Sequence, residues 1–155
     1  ALAGGAVLDL GVYPIAAMVA LFGEPHDVTA LSVTISSGAD GAGAALLAYP
    51  GMVADVSYSK ISTAYRANEI EGEDGTLLID QIDRPRKLSL RLRDGSVIEE
   101  NVEVDGAASE HELVNMRFEV ARFVEIVGGD SGAADLARTR AMLRVTDRIR
   151  AAASA

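Results

Sequence analysis

The sequence is 155 residues long, with a formal net charge of −9, 49% hydrophobic and 24% charged residues, and no cysteine. Its length and composition are those of a single globular domain, 1–155, able to bury a real core. The lack of cysteine excludes a disulfide framework, a thiol nucleophile and a thiolate metal site, and fits a reducing, cytoplasmic setting.

The acidic balance argues against nucleic acid as a partner, because phosphate repels such a surface. The one basic cluster, Arg138, Arg140, Arg144, Arg148 and Arg150, reads as the solvated face of a helix. No apolar run approaches the roughly 18 residues that span a bilayer, and the start ALAGGAVLDLG lacks the basic region of a signal peptide. Opening on Ala1 and a glycine-rich turn, the sequence reads as a piece of a longer chain.

The first element is a helix that ends near Phe22, where Gly23 stops it and Pro25 blocks its continuation. Asp9 is a good N-cap residue, and Pro14 is tolerated only in a first turn. A start between Leu10 and Tyr13 satisfies both. A run of strands follows. From Thr29 to Ser36, Leu31, Val33 and Ile35 alternate with Ser32, Thr34 and Ser36. The stretch SSGADGAGA (Ser36 to Ala44) reads as a turn. Ala42 to Tyr49 is a second strand, ended by Pro50-Gly51. The third, Met52 to Lys60, sets Met52, Ala54, Val56 and Tyr58 on one face and Asp55, Ser57 and Ser59 on the other.

Glu69 to Glu71 and Thr76 to Ile79 flank the turn GEDG. Leu88, Leu90 and Leu92 alternate with Ser89, Arg91 and Arg93, and Asp94-Gly95 is a strong hairpin signal before a return strand, Val97 to Val104. Two helices close the chain. One runs from Glu110 to Val127 with Leu113, Met116, Val120, Val124 and Val127 at helical spacing. The other runs from about Ala133 to Ala153, with a stripe of Leu136, Met142, Leu143, Val145 and Ile149. Short connections demand antiparallel neighbours. The fold class is therefore α+β: a largely antiparallel, open-faced sheet of about six strands with helices packed on one face. The other face is open for subunit pairing.

The histidines are His26 and His111. Glu110-His111-Glu112 is only a weak metal-ligand cluster, both histidines read as surface residues, and no metal site is expected. Read from the residues alone, Asp9 before a helix is an N-cap or an acid–base group, and Tyr13 is a core residue with a wet hydroxyl or a proton donor. Lys60, Tyr65 and Arg66 follow a strand in a loop, where binding groups concentrate.

The stretch AGGAVLDLGVYPIAAMVALFGEP, Ala3 to Pro25, resembles the signature that opens the C-terminal domain of the Gfo/Idh/MocA oxidoreductases, roughly GGGxLxDxGxYxxxxxxxxFGxP. Gly4, Gly5, Asp9, Gly11, Tyr13, Phe22, Gly23 and Pro25 match. Ala3 replaces the first glycine and Val7 the leucine. The segment NEIEGEDGTLLID, Asn68 to Asp80, is similar to the family's strand–turn–strand, and the final pair of helices also fits.

The resemblance implies an enzyme that moves hydride between NAD or NADP and a hydroxyl-bearing carbon of a sugar, polyol or diol. It implies that the cofactor is bound mainly by an N-terminal Rossmann domain, which also supplies a lysine. Neither a G-x-G-x-x-G fingerprint nor the lysine motif occurs in this sequence, so 1–155 alone is expected to be inactive. Asp9 and Tyr13 take the catalytic positions implied by D-x-G-x-[HY]; Gly4, Gly5, Lys60, Tyr65 and Arg66 are implied to lie near substrate or cofactor. Tyrosine at position 13 resembles the glucose–fructose oxidoreductase and dihydrodiol dehydrogenase branch. A homodimer formed through the sheet face is implied as well. The alternatives are a non-catalytic, sugar-sensing relative and a stand-alone dimerisation module.

Overall fold

The computed structural model describes residues 4–102 and 113–154. Ala3, the Glu110-His111-Glu112 cluster, the start of the penultimate helix and the end of the last strand lie outside these residues. The chain divides into two compact units: residues up to Ala64 together with those from Ala133 onward, and Tyr65–Gly132.

The first unit begins with a π-helical turn, Val7–Gly11, that runs directly into α1, Val12–Phe22. Pro14 accounts for the wide turn. It has no N–H to donate, and its ring crowds the carbonyl four residues back, which a looser turn relieves. The helix therefore starts earlier than Pro14 alone predicts, and Asp9 is inside it. The N-cap is Ala6, which makes no side-chain capping bond. At the far end Gly23 adopts φ +78°, and its N–H donates to the Val19 carbonyl at 3.0 Å, so the predicted stop holds.

Three antiparallel strands follow in the order β1 (Asp27–Thr34), β2 (Asp40–Tyr49) and β3 (Met52–Ser59). Half of the glycine-rich stretch predicted as turn is strand. Gly41 and Gly43 lie within β2, Gly43 paired to both β1 and β3, and are glycine where neighbouring side chains lean over the strand. A methyl group at Gly43 would meet the Tyr58 hydroxyl at 2.5 Å, and one at Gly41 would meet the Ile35 side chain at 2.4 Å.

One face of this sheet is covered by α1 and by α3, Ala133–Ala153. Ala30, Ala45, Leu47, Val56, Tyr58 and the helical residues Ile15, Val19, Val145 and Ile149 form the core. Fully burying each large aliphatic among them contributes about 1.5–3 kcal/mol. The predicted faces of β3 are borne out. In β1 the alternation is correct, but the inward residue is the small Ala30; Leu31 and Val33 point outward and are exposed. On α3 the buried set is Ala141, Val145, Thr146 and Ile149. Leu136 and Leu143, placed in the predicted stripe, are exposed. Thr146 fits the core because its hydroxyl donates to the Met142 carbonyl at 2.9 Å.

The predicted solvated arginine face is partly a clamp. Arg148 donates to the carbonyls of Pro25 at 2.6 Å and His26 at 2.9 Å, and Arg144 pairs with Glu24. These bonds tie α3 to the connection between α1 and β1.

The second unit holds a four-stranded antiparallel sheet, β4 (Asn68–Glu71), β5 (Gly75–Ile79), β6 (Lys87–Leu92) and β7 (Val97–Asn101), in sequential order, and α2, Leu113–Val127. The Asp94-Gly95 hairpin forms as predicted: Gly95 has φ +86°, and the Leu92 N–H donates to the Ser96 carbonyl at 2.9 Å. Among the described residues the strands are thus antiparallel throughout, hydrogen-bonded as two sheets, within a mixed fold of strands and helices.

Candidate functional site

The π-helical turn presents two of the predicted residues. A π turn closes between residues five apart and an α turn between residues four apart, so side chains four apart share a side of either. Asp9 and Tyr13 therefore lie on the same side of the helix start, and both are exposed. Among the predicted positions the structure joins Asp9 to Lys60: Lys60 Nζ lies 2.6 Å from Asp9 Oδ2.

Lys60 is held in place by its backbone. Its N–H donates to the Gly41 carbonyl at 2.8 Å, which continues the β2–β3 pairing by one residue. The Ser59 hydroxyl then accepts the N–H groups of Ile61 and Ser62, at 3.2 and 2.9 Å, and turns the chain away from the sheet. Tyr65 and Arg66 come after that turn, belong to the second unit and are exposed.

The two glycines before the turn have different surroundings. Gly4 is exposed and Gly5 is buried. Both border a crevice that also includes Ser37, Gly38, Asp40 and Arg150. The N–H of Val7 donates to Asp40 Oδ2 at 2.7 Å. Asp40 thereby supplies the capping acceptor that Ala6 lacks. Sequence reasoning does not single out Asp40. It lies 33 positions from its partner, and capping rules look only a few residues ahead.

Gly11 marks a second close approach. A methyl group there would stand 3.1 Å from the Tyr58 ring. Tyr58 is buried between the π turn and β2, and burial raises its pKa above the ordinary phenol value, with the Asp40 charge adding to the shift. The glycines of the resemblance thus have packing reasons: Gly5 makes room for a carboxylate and Gly11 for an aromatic ring.

This arrangement can hold a hydroxyl-bearing molecule. An exposed carboxylate accepts a hydroxyl hydrogen, a neighbouring ammonium balances its charge, and a phenol offers a second hydrogen-bonding group. It does not resemble a dinucleotide cradle. The glycine turn near Gly38 joins two antiparallel strands rather than a strand and a helix, so it aims no helix N-terminus at a pyrophosphate. Among the described residues no cluster of three metal-binding side chains occurs, and no helix is long and apolar enough to cross a membrane.

The family model for the GFO/IDH/MocA C-terminal domain matches residues 1–78, half of the chain. The chain is 48% identical over 103 residues to scyllo-inositol 2-dehydrogenase (NADP(+)) IolU of Bacillus subtilis, covering 66% of this chain and 31% of that protein. It is 36% identical over 88 residues to the oxidoreductase YgjR of Escherichia coli, covering 57% and 27%. The chain thus spans about a third or less of the curated relatives it matches. Among solved structures, KijD10, a 3-ketoreductase from Actinomadura kijaniata in complex with TDP-benzene and NADP, superposes with TM-score 0.69 at 20% identity over 96% of this chain and 48% of that one. With Asp9, Gly11 and Tyr13 inside the matched segment and this fold around them, the chain belongs to the GFO/IDH/MocA C-terminal domain family.

Proposed function

We propose that this chain is the substrate side of an NAD(P)-dependent oxidoreductase acting on a polyol or sugar, completed by an N-terminal Rossmann domain that holds the dinucleotide. The observation that carries the reading is the exposed Asp9–Lys60 pair on a helix start that also presents Tyr13. When bound, the nicotinamide exchanges the hydride. The residues of this chain deal with the hydroxyl: Asp9 accepts its hydrogen bond, Lys60 keeps the carboxylate oriented, and Tyr13 directs its own hydroxyl to the same group. Gly4 and Gly5, which line the crevice beside Asp40, are proposed to lie near substrate or cofactor. Tyr65 and Arg66 are proposed as outer contacts to substrate or cofactor. The cysteine-free composition fits a cytoplasmic enzyme.

The test is turnover by the full-length protein that contains this chain, followed through the absorbance of reduced nicotinamide. Scyllo-inositol with NADP+ comes first, because the relative IolU is named for it. Aldopyranoses and diols come next, because Tyr13 resembles the glucose–fructose and dihydrodiol branch. Turnover that disappears in Asp9→Asn supports the reading. Saturable polyol binding without turnover supports a sugar sensor in its place.

A second part of the proposal is a homodimer through the outer face of the three-stranded sheet. Leu31, Val33, Leu46 and Val53 are all exposed there, around the small Ala42 and Ala44. Such a face is more apolar than a lone sheet surface needs to be. Light scattering should give a dimer mass that Leu46→Glu reduces to the monomer; an unchanged mass in the variant moves the interface elsewhere.

A further inference from the structure

We infer that Asp40 is a positioning residue for the Asp9 carboxylate. The inference rests on the oxidoreductase reading above and extends it to a residue outside the Asp9, Lys60 and Tyr13 group.

Three contacts close a ring around Asp9. Asp40 Oδ2 takes the Val7 N–H at 2.7 Å, at the start of the turn that carries Asp9. Asp9 is paired with Lys60 at 2.6 Å. The Lys60 N–H returns to the carbonyl of Gly41, the residue next to Asp40, at 2.8 Å. The start of β2 therefore holds the turn by its backbone through Asp40, and the adjoining end of β3 holds it by a side chain through Lys60. A π turn has fewer constraints than an α-helix, since each of its backbone bonds spans a longer loop. Its first N–H groups have no partners within the helix, so the Asp40 carboxylate fixes the backbone at the start of a turn that packing alone holds less tightly. A displacement of one ångström at a reacting group is enough to slow a reaction strongly.

Gly5 provides the independent observation. A methyl group at Gly5 would come within 1.7 Å of Asp40 Oδ1 and 2.7 Å of its Cγ. The φ of Gly5 is not in the positive region that favours glycine. The absence of a side chain at position 5 is thus explained by the Asp40 carboxylate rather than by backbone conformation.

Two measurements on the full-length protein test this. The first is a stability cycle of Gly5→Ala, Asp40→Ala and the double variant, read by thermal melting. Gly5→Ala should lower the melting temperature in the parent and do little in Asp40→Ala, where Oδ1 and Cγ are gone; equal effects in both backgrounds overturn the contact. The second is steady-state kinetics with scyllo-inositol and NADP+. Asp40→Ala should lower kcat by about tenfold or more with KM little changed, and Asp40→Asn, which keeps an acceptor oxygen for Val7, should stay within about twofold of the parent. A coupled cycle with kcat intact in Asp40→Ala leaves a purely structural cap and overturns the positioning role. A coupled cycle in a parent that turns over no polyol shows that the oxidoreductase reading has failed, and the positioning role with it. An uncoupled cycle in an active parent shows that this inference alone has failed.

Discussion

Lys60 reaches the Asp9 carboxylate at 2.6 Å while the two side chains remain 43% and 61% exposed. An ion pair this wet adds little to folding, at most about 1 kcal/mol. On the proposed reading, its worth lies in where it holds the carboxylate. Lys60→Met should therefore leave the melting temperature almost unchanged and lower kcat/KM by about tenfold. The pairing has no functional role if kcat/KM is unaffected.

Tyr13 is 51% exposed at the start of α1, so Tyr13→Phe removes a hydroxyl without opening a cavity. The expected result is an unchanged thermal melt and a fall in kcat/KM of roughly 10²-fold, the size of a lost acid–base or positioning group. Kinetics equal to the parent would return Tyr13 to the role of a surface ring.

The two arginines of the α3 clamp should behave differently. Arg148 is partly buried and satisfies two carbonyls, so Arg148→Ala leaves the Pro25 carbonyl poorly hydrated and should cost about 1–3 kcal/mol in urea unfolding. Arg144 meets Glu24 in the open. Arg144→Ala should cost less, and its effect should shrink as salt rises. Equal costs at all salt concentrations would contradict this division.

The orientation of α3 can be tested in the same assay. Ile149 is fully buried and Leu143 is 48% exposed. Ile149→Ala should destabilise by about 2–5 kcal/mol, whereas Leu143→Ala should stay within about 0.5 kcal/mol. The reverse order would rotate the helix.

Stability should fall at both ends of the pH scale. Glu24 is held below its ordinary value by the Arg144 hydrogen bond, Asp94 by the Ser96 hydroxyl and N–H, and Asp130 by the Gly132 N–H and by Arg122. For Asp80, burial pulls upward, but the N–H groups of Arg86, Gln81 and Lys87 outweigh it. A carboxyl depressed by folding stabilises above its unfolded pKa, and that stability is lost as pH falls through its folded value. Tyr58 and Tyr49 are raised by burial, so their contribution is complete below the ordinary phenol pKa and declines as pH climbs past it. Melting temperatures from about pH 3 to about pH 11 should trace a plateau with two falling arms. A rise on the acid side would reverse the sign of the carboxylate argument.

Local pattern is legible in the sequence wherever a short-range rule decides the backbone. Gly23 as a helix stop, Asp94-Gly95 as a hairpin and the two faces of β3 all follow from residues within a few positions of one another. The signature around Asp9 and Tyr13 is legible as a resemblance. What escapes is set by distant partners. Asp40 reads as part of a turn because its target, the Val7 N–H, belongs to another element. Arg148 reads as solvated because the carbonyls it binds are main-chain groups, which no side-chain pattern reveals. In β1 the alternation leaves open which face is inward, and it is Val28 and Ala30 that meet the core while the larger Leu31 and Val33 take the outer face.

The first unit is discontinuous in sequence: its strands and α1 precede Ala64 and its last helix follows Ala133. During synthesis, Leu47, Val56 and Ala30 emerge from the ribosome well before Val145 and Ile149 exist to cover them. At about 5–20 residues per second, that half-core waits for seconds while the whole of Tyr65–Gly132 is made. The nascent sheet is a surface for chaperones during that interval, and a chain cut short before α3 leaves its apolar face open for good.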